Sequence, residues 1–215
     1  MKIHTYNVTT WPFVEELLHT FRAYLNKNCT LETLHEYLEE EYDIFDENTD
    51  QSTVLHRIHY ENQDDVFLDI YKDFIRDVVR PMFNEPIVYQ KIPTFRVHLP
   101  GNLGVGSYHR DRDFNHGREE INFIVACTRM YDTNTVWIES EEGKEDFKPI
   151  TLDVGGMVEF DGANLLHGNK TNTTDQTRVS FDFRVVPLSK FQNRDDESIT
   201  NPTKFKIGEY FEVCK

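Results

Sequence analysis

Arg178-Val179-Ser180-Phe181-Asp182-Phe183-Arg184-Val185-Val186 is the stretch from which the fold can be read. Strand side chains alternate with period two, so Val179, Phe181, Phe183 and Val185 share one face and Arg178, Ser180, Asp182 and Arg184 the other. An apolar face turned outward needs something to cover it, and a polar face turned inward implies a cavity. A double-sheet jelly roll or cupin, backed on its outside by helices, meets both demands.

The chain upstream supplies both parts. Residues 12 to 26 place Val14, Leu17, Leu18, Phe21, Tyr24 and Leu25 at helical spacing, with Pro12 in a tolerated first-turn position. A second helix is expected from Leu31 to about Tyr42, capped by Thr30, its acidic run Glu39-Glu40-Glu41 forming a solvated face. Residues 45 to 63 read as loop with one short helix. A strong stripe from Asp64 to Val79 (Val66, Phe67, Ile70, Tyr71, Phe74, Ile75, Val78, Val79) reads as a helix ended by Pro81. From Ile87 the period shortens. Ile87-Val88-Tyr89, Phe95 to Leu99, Ile121 to Val125, Thr135 to Ile138, Thr151 to Asp153 and Val154 to Phe160 read as strands, with turns at Pro100-Gly101-Asn102, Glu142-Gly143-Lys144 and Asp161-Gly162. The expected fold class is therefore α+β, mainly β. One domain comprises helical support over 1–85, a double-stranded β-helix (jelly-roll or cupin) core over 86–190, and a tail over 191–215 whose segment Phe205 to Phe211 packs on the body.

Composition sets the outer limits. A chain of 215 residues, 38% hydrophobic and 13% aromatic, is long and apolar enough to bury a substantial core. A formal net charge of −15 argues against a nucleic-acid partner. Cys29, Cys127 and Cys214 are scattered and form neither a disulfide framework nor a zinc motif. No membrane-spanning window is visible and the opening residues lack the apolar core of a signal peptide, so a cytoplasmic protein is expected.

Within the strand-rich part, His109 and Asp111 are two apart and project from one face of an extended segment. His167, at the end of another extended segment, adds a third donor. Two imidazoles and one carboxylate leave open positions on a metal, the donor set of mononuclear non-haem Fe(II) oxygenases. The motif His-x-acid alone is weak: with 9 histidines and 38 acids in 215 positions, about 1.6 pairs arise by chance. His59-x-Glu61 is one such pair, in the helical third. His109-x-Asp111 is set apart by the turn Gly101 to Gly106 before it, by His167, and by Arg178 eleven residues beyond His167. A hairpin returns Arg178 and Ser180 beside His167, where the guanidinium can fork onto a carboxylate inside the barrel. The competing readings are structural roles for each histidine taken singly, and a pairing of Arg178 with Asp182 or Glu159.

The run His109-Arg110-Asp111, His167, Arg178-Val179-Ser180 resembles the Fe(II)/2-oxoglutarate-dependent dioxygenase superfamily over about half the chain, from Phe95 to Val186. Arg96-Val97-His98-Leu99-Pro100, Glu120-Ile121-Asn122-Phe123, Trp137-Ile138-Glu139-Ser140 and Val179 to Arg184 are similar to its small-molecule branch, typified by the streptomycin-biosynthesis-type and phytanoyl-CoA-type dioxygenases. The resemblance implies Fe(II) held by His109, Asp111 and His167 as metal and catalytic residues, with 2-oxoglutarate as co-substrate held by Arg178 and Ser180, and O2 as oxidant. It implies hydroxylation of an unactivated C–H bond in a small soluble molecule, with release of succinate and CO2; desaturation and ring closure share the same first step. Retention of Asp111 argues against halogenation. Strand phase adds Asn122 and Arg96 on the co-substrate side. Tyr108, His116, Trp137, Glu139 and His98 are candidates for substrate contact, against readings as core (Trp137), solvated rim (Glu139) or surface (Tyr108, His116). Two other functions compete: a peptide or protein hydroxylase with the same metal site, and a non-oxidative metal-binding cupin, either an isomerase or a binding module.

Overall fold

The computed structural model describes residues 1–38, 53–62, 65–104, 108–197 and 203–215. In chain order these form β1 (Lys2–Thr5), α1 (Phe13–Leu25), a 3-10 turn (Leu31–Tyr37), α2 (Val54–Asn62) and α3 (Asp65–Phe74). The strands β2 (Ile87–Gln90), β3 (Thr94–His98), β4 (Ile121–Ala126), β5 (Val136–Ile138), β6 (Lys148–Pro149), β7 (Gly156–Phe160), β8 (His167–Asn169), β9 (Arg178–Pro187) and β10 (Phe211–Cys214) follow. Seven strands make one antiparallel sheet in the order β1-β7-β4-β9-β2-β10, with β3 also paired to β9. The order β6-β5-β8 makes a second.

β9 is the spine of the larger sheet, pairing with β4 along one edge and with both β2 and β3 along the other. Its alternation does what the sequence requires. Val179, Phe181, Phe183 and Val185 are buried against Phe13, Leu17 and Phe21 of α1, Leu55 and Ile58 of α2, and Phe67, Tyr71 and Phe74 of α3. On the opposite face, Ile124, Ala126, Val158 and Phe160 meet Ile138, Ile150 and Leu152, so the two sheets share an inner apolar cluster that fills part of the space between them. Phe181 is the keystone of the outer layer, its ring within 4.8 Å of Phe13 and 5.7 Å of Phe67. Phe181→Ala is expected to cost about 3–5 kcal/mol in urea unfolding, the usual range for deleting a buried aromatic side chain.

Several expectations need correction. As far as it is described, the second helix is only the 3-10 turn Leu31–Tyr37; the acidic run Glu39-Glu40-Glu41 lies outside the described residues, as does Gly106 of the glycine turn. Within 45–63 the one short helix that was expected is Val54–Asn62. Its apolar positions are few because two of its buried residues are His56 and His59, and His59 stacks on Phe95 at 4.1 Å rather than joining a metal site. α3 changes register before Pro81, into a π turn (Ile75–Val79) and a 3-10 turn (Arg80–Met82); Pro81 has no N–H to give the carbonyl of Asp77. β1 was not foreseen. This four-residue edge strand is held on β7 partly by Lys2 and His4, which reach Glu159 at 2.8 and 3.1 Å. Thr151 to Asp153 contributes a single bridge, Leu152 with Met130, instead of a strand. Among the described residues no helix is long and apolar enough to cross a membrane.

Burial lowers His56 to about 3, with nearby positive charge adding to the effect, and lowers His59 to about 4. Both values lie below that of the unfolded chain, so the unfolded chain takes up protons first as pH falls. Their contribution to stability is therefore full above about pH 6.5 and is lost below it, down to about 4 for His59 and about 3 for His56, at roughly 1.4 kcal/mol per pH unit for each imidazole. His59→Phe keeps the stack on Phe95 and is expected to flatten the fall in stability between pH 6.5 and 5 by about that amount. An unaltered slope in urea titrations would mean that His59 is charged in the folded chain.

Candidate metal centre

A two-residue bridge brings the two histidines together. His109 donates its backbone N–H to the carbonyl of His167 at 2.9 Å, and His167 donates to the carbonyl of His109 at 3.0 Å, extending the smaller sheet beyond β8. Residues paired in this way point to the same face. His167 also pairs with Ile138, which faces the inner cluster, so both imidazoles enter the space between the sheets, with ring centroids 4.7 Å apart. Asp111 opens a 3-10 turn, Asp111–Phe114, and its N–H is held by the carbonyl of Gly162 at 3.0 Å. Its Oδ1 then lies 3.6 Å from Nε2 of His109 and 3.5 Å from Nε2 of His167. All three donor atoms lie within 4.8 Å of one another. His167 donates Nδ1–H to the carbonyl of Leu165 at 3.0 Å, which leaves its Nε2 lone pair facing the carboxylate.

The other carboxylate oxygen is fully engaged. Oδ2 of Asp111 accepts from Asn122 Nδ2 at 2.6 Å and from Arg184 Nη2 and Nε at 2.7 and 3.0 Å. Burial pushes the Asp111 carboxyl up, but the Arg184 guanidinium overrides it, and the carboxyl is held well below the usual carboxylate range. Burial likewise pulls the Arg184 guanidinium down, and Asp111, Tyr210, Asp182 and Glu120 hold it well above its ordinary value. Gly162 makes this packing feasible, because a Cβ there would stand 2.8–2.9 Å from the Asn122 side chain.

A second cluster lies further along the inward face of β9. Arg178, 2% exposed, donates Nε–H to the carbonyl of Asn134 and Nη1–H to Ser180 Oγ, both at 3.0 Å. Arg96 and His98 stand opposite Ser180 and Arg178 in the strand register. The alternative pairings for Arg178 are taken: Asp182 binds Arg96 at 2.6 Å, and Glu159 binds Lys2 and His4. Among the described residues, Arg96 and Arg184 each have a carboxylate within 4 Å, and Arg178 has none. Burial, helped by Arg96, lowers Arg178 to about 10, so it remains a cation at neutral pH.

The structure separates the remaining candidates. Asn122 sits on Asp111 rather than beside Arg178. His98 is fully buried and donates Nε2–H to the carbonyl of Asn102 at 2.8 Å; its imidazole is lowered to about 3, chiefly by burial and then by Arg178. Val136 and Ile138 face the inner cluster, so Trp137 and Glu139 point to the other side of the smaller sheet. There Trp137 lies under the ammonium of Lys170, 3.2 Å from its ring centre. Glu139 is neither a solvated rim residue nor open to a substrate. Its buried carboxylate accepts the N–H groups of Leu166, Gly143 and Glu145 at 2.7, 2.9 and 3.2 Å, and Arg110 at 3.3 Å. Tyr108, one residue before His109 and hence on the opposite face, packs on Phe147 with centroids 4.3 Å apart. His116 donates to Glu120 at 2.7 Å and lies against Phe205 of the C-terminal segment. Period two gives the phase of each of these residues but not which face turns inward. The same limit hid Arg184, which shares the phase of Arg178 and Ser180; only the register of β9 on β4, where Arg184 faces Asn122, puts it at Asp111.

No family model matches the sequence. Apo ThoJ, a non-heme monooxygenase, superposes with a TM-score of 0.51 over 82% of this chain and 70% of its own at 13% identity. The ThoJ–nickel complex gives 0.46 over 82% and 69% at 14% identity. At this identity the likeness to ThoJ is one of fold. The streptomycin biosynthesis protein StrG of Streptomyces griseus is 42% identical over 165 residues, covering 77% of this chain and 78% of that protein. Identity at that level across most of both chains establishes kinship: the protein belongs to the family of the streptomycin biosynthesis protein StrG.

Proposed function

We propose that this protein is a non-haem Fe(II)- and 2-oxoglutarate-dependent oxygenase that hydroxylates a C–H bond of a small soluble molecule. The two sheets are read as a double-stranded β-helix of the jelly-roll or cupin kind over 86–190, with 1–85 as helical support and 191–215 as a packed tail. The observation that carries the proposal is the convergence of His109, Asp111 and His167 in the space between the sheets, their donor atoms within 4.8 Å of one another. Ligand-to-metal distances of about 2.0–2.2 Å place neighbouring donors roughly 3–3.5 Å apart, and Asp111 Oδ1 lies 3.5 and 3.6 Å from the two imidazole nitrogens. Two imidazoles and one carboxylate suit Fe(II) and leave positions open for other ligands.

When bound, Fe(II) with 2-oxoglutarate and O2 supplies the oxidising power, releasing succinate and CO2. The chain positions and encloses. Leu165 fixes which nitrogen His167 presents, and Arg184 and Asn122 fix the carboxylate. Phe160 of the inner apolar cluster lies edge-on to His167 with ring centroids 5.6 Å apart and covers one side of its imidazole. Arg178 and Ser180 would hold the distal carboxylate of the co-substrate, for a buried cation with no carboxylate within 4 Å among the described residues is a ready anion site. Arg96 and His98 stand opposite them in the strand register. That StrG is named for the biosynthesis of a small molecule favours such a substrate over a peptide. The test is succinate formation from 2-oxoglutarate in the presence of Fe(II), ascorbate and O2. Metal binding without any consumption of 2-oxoglutarate would reduce the reading to a non-oxidative cupin.

A further inference from the structure

We infer that Arg184 is a positioning residue for the metal centre. With the amide of Asn122 it holds the outer oxygen of Asp111, so that the carboxylate offers a cation one oxygen only. The inference rests on the reading of His109, Asp111 and His167 as metal ligands.

The geometry is specific. Three donor contacts of 2.6–3.0 Å converge on Oδ2, while Oδ1 faces the two imidazoles. The guanidinium is itself fixed from several directions. Its Nη1 reaches Gln90 Oε1 at 3.3 Å and Tyr210 OH at 3.4 Å, and Asp182 and Glu120 flank it at 3.6 and 3.7 Å. The planar fork is thus anchored to β2, β9, the residue before β4 and the C-terminal segment at once. Asn122 cannot be turned over without setting its carbonyl oxygen against a carboxylate, so its NH2 group must face Asp111. Its own Oδ1 is buried and has no hydrogen-bond partner among the described residues, consistent with the donor end setting the orientation.

Holding one oxygen back has a chemical consequence. If both oxygens of Asp111 reached the cation, they would fill a position that the bidentate co-substrate or O2 needs. Charge alone would argue against placing an arginine here, since a cation next to a ligand carboxylate opposes metal binding. Two accounts of Arg184 therefore differ in sign. If it acts only through charge, neutralising it tightens metal binding; if it positions Asp111, neutralising it weakens binding and changes the coordination.

The experiment titrates Co(II) into the metal-free full chain, by calorimetry and by the visible ligand-field bands of the ion. Arg184→Gln is expected to weaken Co(II) binding about 10- to 100-fold, the usual effect of losing a partner that orients a ligand, and to alter the band intensities as Asp111 swings. Arg184→Lys keeps the charge but not the fork and should fall between Arg184→Gln and wild type. Should Arg184→Gln not fold, Asn122→Ala serves, because it removes the shortest contact to Oδ2 and leaves the buried charges balanced; a weakened, spectrally altered site is expected there too. Binding as tight as wild type or tighter, with unchanged bands, in Arg184→Gln or in Asn122→Ala overturns the inference. His167→Ala separates the levels: if wild type binds Co(II) no better than His167→Ala, the metal reading itself fails and takes the inference with it.

Discussion

Asp111→Asn is expected to abolish tight metal binding and succinate formation while leaving the fold intact, whereas Asp111→Ala loses both function and stability. The two differ because Asp111 serves two partners through two different atoms. Its outer oxygen answers Arg184 and Asn122, and its inner oxygen faces the imidazoles. An asparagine can still accept from Arg184 with its carbonyl, which turns its NH2 group toward the two imidazoles, where a donor cannot ligate a cation. Alanine removes both. It leaves Arg184 buried with the more distant Asp182 and Glu120, at 3.6 and 3.7 Å, as its nearest carboxylates among the described residues. Breaking a buried pair by deleting one partner costs about 3–5 kcal/mol, so a clear drop in the urea midpoint of the metal-free chain is expected for alanine and a smaller one for asparagine. Calorimetric metal titration, urea unfolding and a succinate assay on both variants make the comparison. An asparagine variant that bound metal as tightly as wild type would remove Asp111 from the ligand set.

The division between what could be read in the sequence and what could not follows from the range of the interactions involved. The alternation in β9 is a local property, and it was enough to assign the outer face to the helices and the inner face to the site. His109, Asp111 and His167 were recognisable from their donor set, but two details of that reading need correction: Asp111 opens a 3-10 turn instead of continuing an extended segment, and the strands that carry His167 and Arg178 lie in different sheets instead of forming a hairpin. Register is not local. Which inward residue of β9 meets Asp111 depends on Arg184 lying across from Asn122 on β4, and nothing in either segment alone states that offset. Trp137 and Glu139 show the same limit from the other side. Their shared phase was legible, but Ile138 claims the inward face, and a buried carboxylate satisfied by three backbone N–H groups looks in sequence like any exposed acid. β1 escaped because four residues with a single aliphatic side chain carry almost no periodic signal.

The strongest test of the co-substrate reading lies in Arg178, where stability and function are expected to part company. Arg178→Met should raise the 2-oxoglutarate concentration needed for half-maximal turnover by about 100-fold or more, since losing one partner of a buried, hydrogen-bonded charge pair costs about 2–5 kcal/mol. The metal-free chain, by contrast, should unfold within about 1 kcal/mol of wild type, because exchanging a buried ionic group for an apolar one of similar length is often neutral. What the arginine contributes to the empty site is two hydrogen bonds, to the Asn134 carbonyl and to Ser180 Oγ, set against the desolvation that lowers it to about 10. A residue held mainly for structure would show the reverse: a large loss of stability and little change in co-substrate demand. Thermal unfolding with metal and graded 2-oxoglutarate reads both quantities at once, since a ligand that binds only the folded chain raises the midpoint with its concentration. Wild type should climb with 2-oxoglutarate, Arg178→Lys should climb less because an ammonium lacks the fork, and Arg178→Met should stay flat. An undiminished climb in Arg178→Met would leave Arg178 as a prop for the Asn134 turn, and the anion site would have to be sought elsewhere on the inward face, beginning with Arg96.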